Sequence, residues 1–392
     1  MQKFAATDIF WMRRALALAD SVMYITAPNP RVGCVIIRDG RKLGEGATQE
    51  VGGPHAEVCA LHDAVSANET VAGSTIYITL EPCSHYGRTP PCVDAIVAAR
   101  PARVVIAMRD PNPKVNGGGL ARLQAAGIQV TVGVCAEEAL AQNPGFVARM
   151  TRSTPWVWLK LASSLDGRSA LHNGVSKWIT GPAAREDGHR WRARSCAVLT
   201  GVGTILADNP QLTPHAVETT RPPLRVIIDS KLRTPPDSRI LDGEPVLIFT
   251  ALEHAGGTAA AHLQARNARI ISMPDGRGQV DLAGVMQWLG QHEINEVHVE
   301  AGARLSGALL QAGLVDEIIH YVAPVFLGDA RPAVALPARD QLPNTHEFEF
   351  TSVMPVGTDL RIRARRITSW HELCRSAGIE PALPPQPQVL RS

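Results

Sequence analysis

Three potential ligands for a soft or borderline metal, His55, Cys83 and Cys92, lie far apart in the chain, and each stands where the residue pattern enters or approaches a helix. His55-Ala56-Glu57 follows Gly52-Gly53-Pro54 and opens a helical pattern. Cys83 comes just after the β-type run Thr75-Ile76-Tyr77-Ile78-Thr79-Leu80, and Cys92 begins Cys92-Val93-Asp94-Ala95-Ile96-Val97 behind Pro90-Pro91. Open α/β sheets gather such junctions along one edge, outside the carboxyl ends of their strands. A chain that brings these three side chains together is therefore expected to be an alternating α/β fold.

One imidazole and two thiolates suit Zn²⁺ and leave its fourth tetrahedral position to water. Glu57 is spaced to stand beside that water without ligating the metal. Zinc nucleobase deaminases use this arrangement, with the carboxylate moving protons between water and ring. The spacing departs from the usual Cys-x-x-Cys, because Ser84 to Pro91 separate the two cysteines. That inserted loop is expected to add a wall to the pocket. The competing reading is three unrelated residues and a helix-capping glutamate. The prolines argue against it, since proline favours the first turn of a helix. A cysteine there feels the positive end of the dipole, which should lower the Cys92 thiol toward the thiolate.

Hydrophobic periodicity predicts an amphipathic helix near 7–25 with an Ile9/Met12/Leu16/Ala19/Met23 stripe, and a hairpin around Asp39-Gly40. The helix from His55 should bury Val58, Leu61 and Val65. Strands are expected at 75–80, 104–107 and 128–132, with a helix near 118–126. A second α/β series follows, with strands at 156–161, 196–200, 224–228, 246–249 and 296–300. Glu300 to Gly307 reads as a glycine-bearing turn ahead of a helix at 308–312, a potential anion site. Gly201-Val202-Gly203-Thr204 is a similar turn. The expected domains are 1–152, 153–370 and a proline-rich, disordered tail at 371–392.

With 39 basic and 37 acidic residues the chain has no field for gripping a nucleic-acid backbone. Seven scattered cysteines form no disulfide framework; Cys34, Cys59, Cys135 and Cys196 sit in apolar runs and are expected to be buried thiols. No stretch reaches the roughly 18 apolar residues of a membrane span, and the first helix does not read as a signal peptide. A cytoplasmic protein is expected. A small-molecule substrate is expected, with further copies of the same chain as partners (dimer or tetramer) and with no nucleic acid and no membrane.

Ordered motifs over nearly the whole length resemble the bifunctional riboflavin-biosynthesis deaminase/reductase family. They are Ala27-Pro28-Asn29-Pro30-x-Val32-Gly33, the zinc motifs, Asp110-Pro111-Asn112-Pro113, Lys160-Leu161-Ala162-x-Ser164-Leu165-Asp166-Gly167, Ser176-x-Trp178-Ile179-Thr180, Gly203-Thr204-x-Leu206-x-Asp208-Asn209-Pro210-x-Leu212-Thr213 and Val299-Glu300-Ala301-Gly302. The resemblance implies an N-terminal cytidine-deaminase-like three-layer α/β/α domain and a C-terminal dihydrofolate-reductase-like α/β domain. The first would remove the C2 amino group of 2,5-diamino-6-ribosylamino-4(3H)-pyrimidinone 5′-phosphate. The second would reduce the ribosyl chain of the product to ribityl with NADPH, giving 5-amino-6-ribitylaminouracil 5′-phosphate.

By the same resemblance, His55, Cys83 and Cys92 hold one Zn²⁺, and Glu57 and Lys160 are catalytic. Ala162, Trp178, Thr204, Asp208, Ser230 and the stretch Gly302, Ala303, Arg304, Leu305, Ser306, Gly307 and Ala308 contact NADPH. Asn29, Ser176, Arg192, Leu212, His215 and Glu300 contact substrate. Thr48 and His215 stand where the family commonly has histidine and arginine, which should weaken substrate and phosphate contacts. Two other readings remain open: a zinc deaminase fused to a non-catalytic ligand-binding domain, and a polynucleotide deaminase, which the near-neutral charge disfavours.

Overall fold

The alternating pattern is realised as two α/β units, each built on one main sheet. The computed structural model describes residues 4–86, 90–113, 115–215, 217–254, 256–343 and 345–381. One unit comprises residues up to Thr151 with those from Thr368 onward; the other is Arg152–Ile367.

The first unit runs α1 (Ala6–Ser21), β1 (Gly33–Arg38), β2 (Arg41–Ala47), α2 (Ala56–Ser66), β3 (Thr75–Leu80), α3 (Cys92–Ala99), β4 (Arg103–Met108), α4 (Gly118–Ala125), β5 (Gln129–Val132), α5 (Ala136–Gln142) and α6 (Pro144–Arg152). Its sheet has the order β2-β1-β3-β4-β5, antiparallel at β1 and parallel from β3 to β5. The hairpin turns at Asp39-Gly40 with φ of 52° and 74°, the two left-handed positions of a type I′ turn. Val104 to Met108 of β4 are each at most 2% exposed, as a strand covered on both faces must be.

Helices cover opposite faces of this sheet. A Cβ on Gly33 would lie 1.9 Å from the Ala15 carbonyl oxygen of α1. One on Gly46, whose register neighbour is Cys34, would lie 2.5 Å from Cys59 Cβ of α2. The same close approach overturns the expected face of α2: its buried residues are Ala56, Glu57, Ala60 and Ala64, while Val58 and Val65 are exposed. Helix and strand backbones meet at Gly44 and Gly46, against Ala56, Cys59, Ala60 and Ala64. In α1, Met12, Leu16 and Ala19 are buried as expected, and Asp8 is buried with them. Asp8 accepts from Tyr77 Oη at 2.9 Å and from both terminal nitrogens of Arg103 at 2.9 and 2.8 Å.

The second unit runs β6 (Trp156–Ser164), β7 (Arg168–Ala170), α7 (Pro182–Arg194), β8 (Ala197–Gly201), α8 (Val202–Asp208), β9 (Leu224–Ile228), β10 (Val246–Thr250), α9 (Thr258–Ala265), β11 (Ala268–Ser272), α10 (Leu282–Gln291), β12 (Glu296–Val299), α11 (Ala303–Gln311), β13 (Glu317–Ala323), β14 (Arg331–Pro332), β15 (Phe348–Val356) and β16 (Asp359–Arg366). Nine strands form one sheet, β11-β10-β9-β8-β12-β6-β13-β16-β15, parallel from β11 to β13 and antiparallel beyond. Its two faces carry separate cores, one with Val226, Ile228, Leu247 and Phe249 and the other with Ile227, Val246 and Ile248. This is the alternation a strand requires.

The sequence pattern marks five of the nine strands; β11, β13, β15 and β16 complete the sheet. β16 escapes a hydrophobic pattern because Arg361, Arg363 and Arg365 alternate along it. Arg363 and Arg365 form cross-strand ion pairs, with Glu317 at 2.6 Å and Glu349 at 2.9 Å, and Arg361 pairs with Asp187 of α7 at 2.7 Å.

Two expectations need correction. The turn drawn over 300–307 is largely helix, since α11 starts at Ala303 behind an N-cap at Gly302. Gly307 is accommodated within it because the Ala335 carbonyl oxygen lies 1.9 Å from where its Cβ would be. The tail does not begin at 371. Helix α12 (Ile367–Ser376) carries Trp370, Leu373 and Cys374, each at most 2% exposed. Trp370 Nε1 donates to Glu137 at 3.2 Å within the first unit. Apolar residues at i, i+3 and i+4 make this stretch an amphipathic helix. The remainder of the expected tail, 382–392, lies outside the described residues.

Candidate metal centre and cofactor cleft

His55 is the N-cap of α2, Cys83 lies three residues beyond β3, and Cys92 is the first residue of α3. Their ligand atoms all fall within 4.8 Å of one another. His55 Nδ1 is 3.2 Å from Cys92 Sγ and 3.7 Å from Cys83 Sγ, and the Cys92 amide donates to Cys83 Sγ at 3.2 Å. One nitrogen and two sulfurs so arranged could hold a tetrahedral ion such as zinc with one position open.

The two thiols act on each other. Hydrogen bonding to Cys92, and then to His55, pulls Cys83 well below an ordinary thiol, and the same bond with burial pushes Cys92 up. The first residue of α3 supplies the amide donor to the Cys83 sulfur.

Glu57, in the first turn of α2, is 4% exposed. Burial raises its carboxyl to about 7, assisted by the nearby Cys83 charge and opposed by His55. It offers a proton-carrying group next to the three ligand atoms without joining them. Two further carboxyls that the sequence reading left unassigned border this centre. Asp110 is raised to about 7 by burial and by the charges of Glu81, Cys83 and Glu57, and it accepts from the Asn112 amide at 2.8 Å. Glu81 is 2% exposed and holds only backbone amides among the described residues. Each precedes a proline just beyond a strand end, a pattern that by itself reads as an ordinary strand-end charge.

Asn29 lies in the segment before β1, next to Arg31. Asn143 grips the Arg31 backbone, its Oδ1 accepting the amide and its Nδ2 donating to the carbonyl, both at 2.8 Å. Thr48 turns its hydroxyl to the Val32 carbonyl at 3.4 Å and is 3% exposed. Of the loop expected as an extra wall, His85 is half-buried and Tyr86 exposed, while 87–89 lie outside the described residues.

In the second unit the parallel order β9-β8-β12-β6 aligns the strand ends. Ser230 follows β9, Thr204 and Asp208 belong to the helix after β8, Gly302 follows β12, and Ala162 lies in β6. Thr204 Oγ1 is 4.0 Å from where a Gly302 Cβ would stand. Ser230 Oγ is 3.4 Å from Gln279 Oε1. Within the 302–308 stretch, Ser306 is fully buried and bonds the Ala301 carbonyl at 3.3 Å. Ligand contacts here would run through the first-turn amides of Ala303, Arg304 and Leu305, which have no acceptor inside the helix; Ala308 lies a turn further in.

Ser176 and Trp178 precede α7 in a segment tied to α8 by Lys177, whose Nζ donates to the Asp208 carbonyl at 3.4 Å. The Trp178 ring is exposed on one side and stacked at 4.4 Å by Arg185 on the other. Arg192 of α7 engages Glu300 through Nε and Nη2, and its Nη1 donates to the Thr213 carbonyl at 3.2 Å. His189 Nδ1 is 3.4 Å from Arg192 Nη1 and accepts the His215 amide at 3.2 Å. Leu212 is buried beside them in sequence.

Burial opposes ionisation of Glu300, yet the Arg192 charge and hydrogen bonds hold it well below the carboxylate range. Lys160, in β6, is lowered by burial while Glu300 draws it back toward the charged form. His298 is fully buried with Nε2 3.4 Å from Glu300. His189 and His298 both border the Arg192–Glu300 pair.

Comparisons with known proteins agree over both units. The family described as the cytidine and deoxycytidylate deaminase zinc-binding region matches residues 5–108, and the RibD C-terminal domain matches 155–362. The chain is 45% identical over 372 residues to the riboflavin biosynthesis protein RibD of Escherichia coli (strain K12), covering 90% of this chain and 98% of the relative. It is 41% identical over 382 residues to that of Haemophilus influenzae, covering 92% and 98%. Among solved structures, one of Acinetobacter baumannii RibD superposes with a TM-score of 0.83 at 41% identity, over 92% of this chain and 99% of that one. A Thermotoga maritima diaminohydroxyphosphoribosylaminopyrimidine deaminase/5-amino-6-(5-phosphoribosylamino)uracil reductase gives 0.83 at 33% identity over the same shares.

Proposed function

The chain belongs to the RibD family of bifunctional riboflavin-biosynthesis deaminase/reductases, and on that premise we propose which residues perform each step. The protein is a zinc-dependent deaminase and an NADPH-dependent reductase in one chain. No helix among the described residues is long and apolar enough to cross a membrane.

The convergence of His55, Cys83 and Cys92 beside a buried, non-ligating Glu57 carries the deaminase assignment. We assign 2,5-diamino-6-ribosylamino-4(3H)-pyrimidinone 5′-phosphate as substrate of the 1–152 domain. The three residues would hold Zn²⁺, which would supply an acidified water as nucleophile. Glu57 would carry both protons of that water, the first to the ring nitrogen as C2 gains the oxygen and the second from the new C2 hydroxyl to the amino group, which leaves as ammonia. Asn29 positions the substrate.

In the second unit, Arg152–Ile367, the reduction needs the ribose in an open, imine-like form. NADPH, when held there, would supply the hydride for C1′, and solvent would supply the proton for the nitrogen. Lys160 offsets charge at the acceptor, and Arg192, Glu300, Ser176, Leu212 and His215 hold the substrate. Ala162, Trp178, Thr204, Asp208, Ser230 and the 302–308 stretch hold the cofactor. Thiolate ligands and free cysteines elsewhere favour a reducing compartment, the cytoplasm. Phe350 and Val353, 75% and 56% exposed on the edge strand β15, favour a homo-oligomer. Single-turnover ammonia release without NADPH, followed by NADPH oxidation on the deaminated product, tests the sequence of steps. Simultaneous loss of both reactions in a folded Cys92→Ser protein would overturn the division between domains.

A further inference from the structure

Glu81 is buried next to the metal-ligand segment, and its carboxylate is filled by backbone. Oε2 accepts the amides of Asp110 and Gly117, each at 3.2 Å, and Oε1 those of Gly119 and Leu120 at 3.0 and 3.2 Å. A carboxylate has about four lone-pair sites, so this one keeps none for a metal. Its charge is balanced by the amides at the start of α4, where the helix dipole is positive.

These amides come from the end of β4 and from the first turn of α4, and Glu81 joins both to the backbone entering Cys83. The Glu81 amide also donates to the Met108 carbonyl at 3.0 Å. The fit is close: a Cβ on Gly119 would lie 2.3 Å from the Pro82 carbonyl oxygen, and one on Gly118 would lie 2.6 Å from Ser84 Oγ. On the far side of Cys83, its carbonyl accepts the Val93 amide at 3.2 Å, and Arg122 donates to the Ser84 carbonyl at 3.2 Å. Cys83 is therefore fixed from α4 upstream and from both α3 and α4 downstream.

We propose that Glu81 is a positioning residue of the deaminase metal centre, clamping the Pro82-Cys83 ligand segment and the Asp110 wall into one rigid unit through four backbone amides. This rests on the assignment of His55, Cys83 and Cys92 as metal ligands. The clamp requires a carboxylate. In Glu81→Gln the amide group, whichever way it is turned, sets an NH₂ against two N–H donors and leaves both unpaired.

The test uses the full chain and measures zinc transfer to a chromophoric chelator, alongside thermal unfolding and NADPH-dependent reduction of the deaminated product. Glu81→Gln should release zinc about tenfold or more readily than the wild type, the scale known for groups that orient metal ligands, with reduction unchanged. Asp8→Asn, which breaks another buried carboxylate network in the same unit, should lower the unfolding temperature yet retain zinc. Wild-type retention in Glu81→Gln, or equal loss in Asp8→Asn, overturns the proposal. If Glu81→Gln does not fold, Glu81→Asp keeps the charge but is one methylene short of the clamp. It should lose zinc more readily than wild type at temperatures where it is folded, and equal retention again overturns the idea. Failure of the ligand assignment would look different: wild-type protein without zinc, or zinc retained in Cys83→Ser.

Discussion

Arg192 meets Glu300 fork to fork, with Nη2 2.9 Å from Oε2 and Nε bonded to Oε1, both side chains being less than one fifth exposed. Neither charge can be removed alone without stranding the other in a poorly solvated place. Glu300→Gln should raise the reductase KM for substrate by about tenfold or more, the scale of a lost charged hydrogen bond. NADPH binding, followed by fluorescence, should be nearly unchanged. A wild-type KM would take Glu300 out of substrate binding.

Lys160 lies in the field of that pair and of a buried strand. Lys160→Ala should reduce kcat by about 10²-fold, the usual loss when one preorganised charge-stabilising donor goes, with NADPH affinity retained. Steady-state turnover of the deaminated intermediate measures this. Normal kcat would leave cofactor positioning as the main source of rate.

For the deaminase, Glu57→Gln keeps the size of the side chain and removes its capacity to carry protons. Ammonia release should fall by about 10² or more, while zinc content and NADPH oxidation stay as in the wild type. Unimpaired ammonia release would assign the proton transfers elsewhere.

Metal content should be one zinc per chain in protein purified without added zinc, and it should be lost in Cys83→Ser. Because the cofactor cleft belongs to the other unit, that variant should still oxidise NADPH when given the deaminated intermediate. Retained zinc would mean that the three side chains are not its ligands.

Asp8 predicts an acid response of the first unit. Hydrogen bonds from Arg103, against the cost of burial, hold its carboxyl below the ordinary value. A depressed carboxylate stabilises the fold above its unfolded pKa, and that contribution disappears as pH falls through the folded pKa. Asp8→Asn should therefore lower the unfolding temperature at pH 7 by several degrees, on the order of 1–3 kcal/mol for a broken buried network, and the difference should shrink toward pH 2. A constant difference across this range would show that the ion pair contributes nothing.

The metal centre was legible because each ligand announces itself locally, by a proline or a helix start, and parallel strands leave few ways to bring such points together. Glu81 was not: a glutamate before a proline reads as an ordinary strand-end charge, and its four partners come from 29 to 39 residues away. The buried face of α2 was misread because valine outranks alanine in hydrophobicity, whereas contact with Gly44 and Gly46 is decided by size. The arginine-bearing β16 and the α12 helix were missed for a related reason. Cross-strand ion pairs hide a strand from a hydrophobic count, and the prolines beyond 380 obscure an amphipathic turn just before them. In the cofactor cleft, strand ends were placed well, while the pairing of Arg192 with Glu300, 108 residues apart, depends on long-range register.

Helix α12 also bears on how the protein is made. The first unit to emerge from the ribosome lacks its last helix until the whole second unit has been synthesised, because Trp370, Leu373 and Cys374 belong to it. Until then, Glu137 awaits its indole donor. The deaminase unit is thus begun before the second unit and completed after it. Cutting the gene at the boundary near residue 152 would yield a fragment without Trp370, Leu373 and Cys374, whereas adding α12 back as a separate peptide should restore its stability.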